Sequence, residues 1–153
     1  MTFLVIKDAT KDCSYQLLLV DPEGIDKVWK KVEHLVIKTN DEFLNEKDVY
    51  DYLKHGVYRL FLIKEKDKEE IVTAFTVQAI LYPRFKTCRI ITLGGSKLKQ
   101  WFHLLKNLEE WAEERNFMYM ELYGRRGWVK LMKDYKEAEV LLHKKLNLKK
   151  GKL

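Results

Sequence analysis

The chain has 153 residues, of which 46% are hydrophobic and 34% charged, and it carries a formal net charge of +6. That length suits one domain with a real core and is too short for two ordinary ones, while the balance excludes a disordered segment. No apolar run approaches the roughly 20 residues needed to cross a bilayer. The first residues show neither the basic lead nor the small-residue cleavage site of a secretory signal. Cys13 and Cys88 cannot frame a disulfide scaffold, and the four histidines lack metal-ligand spacing. A reducing, cytoplasmic setting is the expectation.

The charge is spread rather than clustered. Lysines alternate with acids through residues 64–70, the pattern of a solvated turn. The uniform cluster is Lys144, Lys145, Lys149, Lys150 and Lys152, a solvent-facing tail with no aromatic interleaving, so nucleic acid is an unlikely partner.

Residues 1–13 leave room for an extra edge strand, and residues 15–20 read as a strand ended by Asp21-Pro22. Asp at a cap and Pro in the first turn predict a helix start. Ile25, Val28, Trp29, Val32, Leu35 and Val36 then fall on one helical face. A shorter helix is predicted over residues 45–55, stopped by Gly56. Residues 58–63, 71–81 and 87–93 form three strands with short links, which implies an antiparallel meander. A helix over residues 96–115 buries Leu98, Trp101, Phe102, Leu105, Leu108, Trp111 and Ala112. It must cross over to set a strand at 117–122 parallel beside the 87–93 strand. A short helix over 127–134 and a last strand over 138–143 complete the chain.

The most informative stretch runs from Thr87 to Trp101, a strand entering a helix through Gly94-Gly95. A helix start reached this way presents free backbone N–H groups, which suit an anion such as phosphate. The same two glycines also serve as an ordinary turn. Inside the next strand stands Glu121, its one internal acid and a candidate base, and after it Tyr123, a candidate catalytic group or a sheet-end aromatic. Arg125 and Arg126 offer either a phosphate clamp or plain loop chemistry. Cys88, without a paired base in view, reads as a small buried hydrophobe.

The order of elements, the strand–glycine–helix unit and the segment from Trp128 to Leu146 resemble the GNAT family of N-acetyltransferases. The look is closest to short GNAT-like proteins encoded by bacteriophages. There a Tyr-Pro-Arg turn, a strand ending in Gly-Gly and a Gly-Arg-x-Gly-Trp segment recur in order, here Tyr82-Pro83-Arg84, Leu93-Gly94-Gly95 and Gly124-Arg125-Arg126-Gly127-Trp128. The resemblance implies an α/β (α+β) fold, a mixed, mostly antiparallel sheet of about six strands flanked by helices, in the order β-α-α-β-β-β-α-β-α-β. It implies a single domain over residues 1–146 with 147–153 as a basic tail. It also implies acetyl-CoA as cofactor, an amine as acceptor, and transfer of an acetyl group. Under that resemblance Ile91, Thr92 and Leu93 face the pantetheine arm, and Gly94, Gly95, Ser96, Lys97 and Leu98 form the phosphate loop. Two departures stand in the sequence: the loop is shorter than the family's, and Lys130 occupies the place where many members carry a tyrosine that protonates the departing thiolate. The alternative function is an inactive module of this fold, serving in a phage particle or against a host factor. Exposed aromatics would support it, with Tyr50, Tyr58, Tyr82 and Phe85 as candidates.

Overall fold

Six strands form one sheet in the order β1-β2-β3-β4-β5-β6, as seen in a computed structural model that describes residues 3–6, 14–37, 43–124 and 127–148. β1 (Phe3–Val5) and β2 (Tyr15–Val20) pair antiparallel, so the N-terminal segment does supply an edge strand. β2 pairs with β3 (Tyr58–Glu65), and β3, β4 (Ile71–Leu81) and β5 (Lys86–Gly95) make the antiparallel meander that their spacing predicts. β6 (Tyr119–Leu122) lies parallel to β5, from Thr87 opposite Tyr119 to Ile90 opposite Leu122.

The helices cover both faces. Between β2 and β3 run α1 (Ile25–Val36) and α2 (Glu46–Lys54). Val28, Val32 and Val36 of α1 and Val49 and Leu53 of α2 pack with Leu18, Val20, Leu60, Leu62 and Ala74. Each such side chain contributes roughly 1.5–3 kcal/mol of transfer free energy, an upper bound because unfolded chains already bury some surface. On the other face Phe61 stacks on Phe75 and meets the edge of Trp111, which is carried by α4 (Leu105–Glu114). Thus the periodicity of both amphipathic helices points their apolar stripes at the sheet, as expected.

Local signals explain the helix starts unevenly. Asn45 and Asp48 form a reciprocal capping box at α2, each side chain accepting the other's backbone N–H at 3.0 Å. Asp21 makes no such cap. The chain instead passes through a 3-10 turn at Pro22–Gly24, and the Asp21 carboxylate faces Arg59 at 3.7 Å.

Three expectations need correction. Residues 138–143 form no strand, and Val140, Leu141 and Leu142 are exposed. With all three side chains exposed, no buried face fixes this segment in register as a strand. The helix expected over 96–115 is broken: α3 (Leu98–Trp101) gives way to a 3-10 turn at Phe102–Leu104 before α4 begins. Trp101, Phe102 and His103 are consecutive residues of modest helix propensity, and the Trp101 indole N–H donates to the Ser96 carbonyl at 2.8 Å. The last helix is also shorter, α5 (Gly127–Leu131). The observed order is therefore β-β-α-α-β-β-β-α-α-β-α. It keeps six strands but gains one at the start and loses one at the end.

The chain divides into two compact units, Met1–Tyr123 and Gly124–Leu153. The first holds the whole sheet and the second holds α5. Among the described residues no helix is long and apolar enough to cross a membrane.

Candidate functional site

The site predicted from sequence lies where β5 outruns its neighbour. β5 extends to Gly95, yet its pairing with β6 stops at Ile90. From Ile91 to Gly95 the strand is therefore laddered to β4 alone, and among the described residues no strand pairs with its other edge. The register against β4 slips here: Thr76 opposes Thr92 while Val77 opposes Ile90, which leaves Ile91 as an extra residue. A bulge of this kind bends the strand and turns an edge away from its neighbour. Thr76 and Thr92 share a hydroxyl hydrogen bond of 2.8 Å, and both are buried. Ile91 packs against the α1–α2 core, and Leu93 is half-buried.

The turn that follows is tight and well tied. The Ser96 N–H donates to the Val72 carbonyl at 3.1 Å, and the Ser96 carbonyl accepts from both Thr73 Oγ1 and Trp101 Nε1. Lys97 adopts a left-handed conformation with φ of 58° and leads into α3. The Gln100 N–H already bonds the Lys97 carbonyl, so the amides of Leu98 and Lys99 are the ones that helix geometry leaves over. The cradle is smaller than the sequence suggests, because Ser96 spends its N–H on the sheet.

Gly94 and Gly95 have structural reasons of their own. A Cβ at Gly94 would overlap the backbone carbonyl of Leu35 in α1. One at Gly95, whose φ is 150°, would overlap Thr73 and the Val72 carbonyl. The glycines let α1 and β4 close onto the end of β5.

Beside the turn stands a cluster that sequence reading passed over. Glu65, the last residue of β3, lies opposite Tyr15 in register. Its Oε1 faces Lys97 Nζ at 3.4 Å and accepts from the Tyr15 hydroxyl at 3.2 Å, while Oε2 meets Lys68 Nζ at 2.8 Å. The Tyr15 hydroxyl also meets the side-chain amide of Gln100 at the end of α3. The hydrogen bond from Lys68 is the main reason that the Glu65 carboxyl is held below its ordinary value. Burial, followed by the Glu65 hydrogen bond, raises the Tyr15 phenol. Glu65 was grouped with the solvated 64–70 turn; its pairing with an aromatic across the strand is the signal that separates it.

The structure brings the two catalytic candidates together around a third residue. Arg89 alternates with buried Cys88 and Ile90, so it projects from the opposite face of β5, where Glu121 opposes it in register. Arg89 Nε and Nη2 both donate to Glu121 Oε1 at 2.6 Å. The same guanidinium lies 4.8 Å from the Tyr123 ring centroid. Glu121 thus arrives already paired, and Tyr123 is 56% exposed. Cys88 is buried and its thiol is pushed up to about 12 by desolvation, which removes it as a nucleophile. Lys130 is exposed on α5, and Arg125 and Arg126 lie outside the described residues. Of the aromatics named for a docking role, Tyr58 is buried, Tyr50 and Phe85 are half-buried, and Tyr82 is exposed.

No family model matches the chain, and no curated protein does. Solved structures do. An aminoglycoside acetyltransferase from an uncultured soil metagenomic sample superposes with a TM-score of 0.62 at 12% identity, covering 90% of this chain and 100% of the other. A ribosomal-protein-alanine N-acetyltransferase from Brucella melitensis gives 0.61 at 12% identity, over 88% and 99%. A GNAT family acetyltransferase from Staphylococcus aureus gives 0.59 at 20% identity, over 87% and 99%. Likeness at such identities speaks for architecture: the sheet with its helices on both faces has the fold of the GNAT acetyltransferases.

Proposed function

We propose that the protein is an acetyl-CoA-dependent N-acetyltransferase acting on an amine. The observation that carries this reading is the bulged β5, whose last five residues, among the described residues, pair with no strand beyond the end of β6. An unpaired strand edge is a row of amides and carbonyls waiting for partners. A pantetheine arm, itself a chain of amides, fits such an edge along Ile91, Thr92 and Leu93. Its phosphates would then meet the turn of Gly94, Gly95, Ser96, Lys97 and Leu98. There the amides of Leu98 and Lys99 and the Lys97 ammonium are the groups that match an anion.

Acetyl-CoA supplies an activated acyl thioester. The chain's part is to hold the acceptor amine within reach of it and to take the proton that the amine loses. Glu121 is the carboxylate nearest in register to the open edge, one residue along from the Ile90–Leu122 pair. Arg89 fixes one of its oxygens and also lies against Tyr123, so the three form one positioned unit. In this reading Glu121 accepts the proton and Tyr123 borders the acceptor. The exposed Lys130 takes no part.

Millimolar acetyl-CoA should raise the unfolding temperature, since a ligand at about 100 times its Kd stabilises by roughly 2.7 kcal/mol. For a domain of this size that is a shift of several degrees. No shift would sink the donor reading. A second reading, a module of this fold that has lost transfer chemistry and serves in a phage particle or binds a host factor, is favoured by the Lys97–Glu65 pair and by the committed Ser96 N–H. Acetyl-CoA binding without transfer to a panel of amines would select it.

A further inference from the structure

Glu65 stands beside the turn where the donor's phosphates are expected, in contact with its Lys97. It ties the end of β3 to the turn: Oε1 faces Lys97 at 3.4 Å while Oε2 is held by Lys68 at 2.8 Å. Its side chain is only 20% exposed, and the Tyr15 hydroxyl fixes it from β2. Tyr15 in turn meets Gln100, so the carboxylate is built into the base of α3 and is not a floating surface charge. A fixed anion here opposes a phosphate in two ways. It repels the phosphate directly, and it occupies the one cation that the turn offers.

We propose that Glu65 is a specificity-determining residue of the donor site, holding Lys97 in competition with the donor's phosphates. The proposal rests on the donor reading above and adds a selectivity to it. In the free protein the Lys97 ammonium belongs to Glu65, and a phosphate-bearing donor must take it over. A donor lacking phosphates meets no such competition. The consequence is a site whose preference for CoA over bare pantetheine is smaller than its own lysine would allow.

Calorimetric titration of the full chain with CoA and with pantetheine tests this in four proteins: the parent, Glu65→Gln, Lys97→Ala and the double variant. Gln keeps the volume and the acceptor that Tyr15 uses, so the fold is retained. Glu65→Gln should tighten CoA binding by about two- to fivefold, the scale of a partly exposed ion pair, and leave pantetheine unchanged. In the Lys97→Ala background the same change should give a clearly smaller gain, because no lysine remains to be released and only the direct repulsion is relieved. CoA binding that is equal or weaker in Glu65→Gln overturns the proposal alone. So does a gain of undiminished size without Lys97, which would mean repulsion only, and so does an equal gain for pantetheine. If none of the four proteins binds CoA, the donor reading falls and takes this one with it.

Discussion

At Gly94 the space a side chain would fill is taken by the Leu35 carbonyl of α1, and that oxygen is backbone, so it cannot rotate away. Gly94→Ala therefore has to push α1 off the sheet. Overpacking of this kind costs about 1–3 kcal/mol, and the loss should appear in urea unfolding of the ligand-free protein. Unchanged stability of the free variant would mean that α1 does not rest on β5. The sequence shows two adjacent glycines before a helix, and from that pattern a phosphate turn and a close crossing look alike. Only the α1–β5 contact separates them, because it joins residues 59 positions apart. Glu65 was hidden for the opposite reason. It sits in a run of alternating charges, and charge alternation carries no information about which member faces Tyr15. Glu121 and Tyr123 were legible as a pair, since two residues apart on a strand share a face, but Arg89 between them comes from another strand.

At the scale of elements, α1 is readable from the helical spacing of its apolar positions, and α2 and the three meander strands from short apolar segments bounded by glycine, proline or charged turns. The broken helix at Phe102–Leu104 and the absent strand at 138–143 are not, since each depends on what lies alongside. The α1–α2 pair makes a dependence on pH. Asp26 of α1 accepts from Lys54 Nζ at 2.7 Å and from the Tyr50 hydroxyl, both on α2. The Lys54 bond first, and the Tyr50 bond after it, hold the Asp26 carboxyl below its ordinary 3.8. With a depressed value in the folded state, the unfolded chain takes up the proton first. The contribution is thus complete above the ordinary value and is lost as pH falls through the folded one. Asp26→Asn should flatten the acid side of the melting-temperature profile and leave its neutral side parallel to the parent's. Equal steepness through the carboxylate range in both proteins would show that the bridge contributes nothing for acid to remove.

At the scale of the whole molecule, a single sheet orders its own local stabilities. β3 and β4 lie at the centre, with Leu60, Phe61, Leu62, Ala74 and Phe75 nearly free of solvent and helices on both faces. β1 and β6 are edges of three and four residues. Local opening needs little free energy where few apolar contacts must be broken, and global unfolding is needed where many must be. Native-state hydrogen exchange should therefore be slowest at Phe61 and Phe75 and fastest, among the strands, in β1 and β6. The end of β5 makes a sharper case. The amides of Ile91, Thr92 and Leu93 belong to a long strand with a well-packed neighbour on one side and, among the described residues, no paired strand on the other. Those turned toward β4 should exchange with the core, and those turned toward the open edge should exchange with β6 or faster. Acetyl-CoA laid along that edge has to slow the second set by more than the first, which gains only the general stabilisation that any bound ligand gives. Protection that rises evenly across β5 would instead report general stabilisation, with the ligand bound somewhere other than the bulged strand.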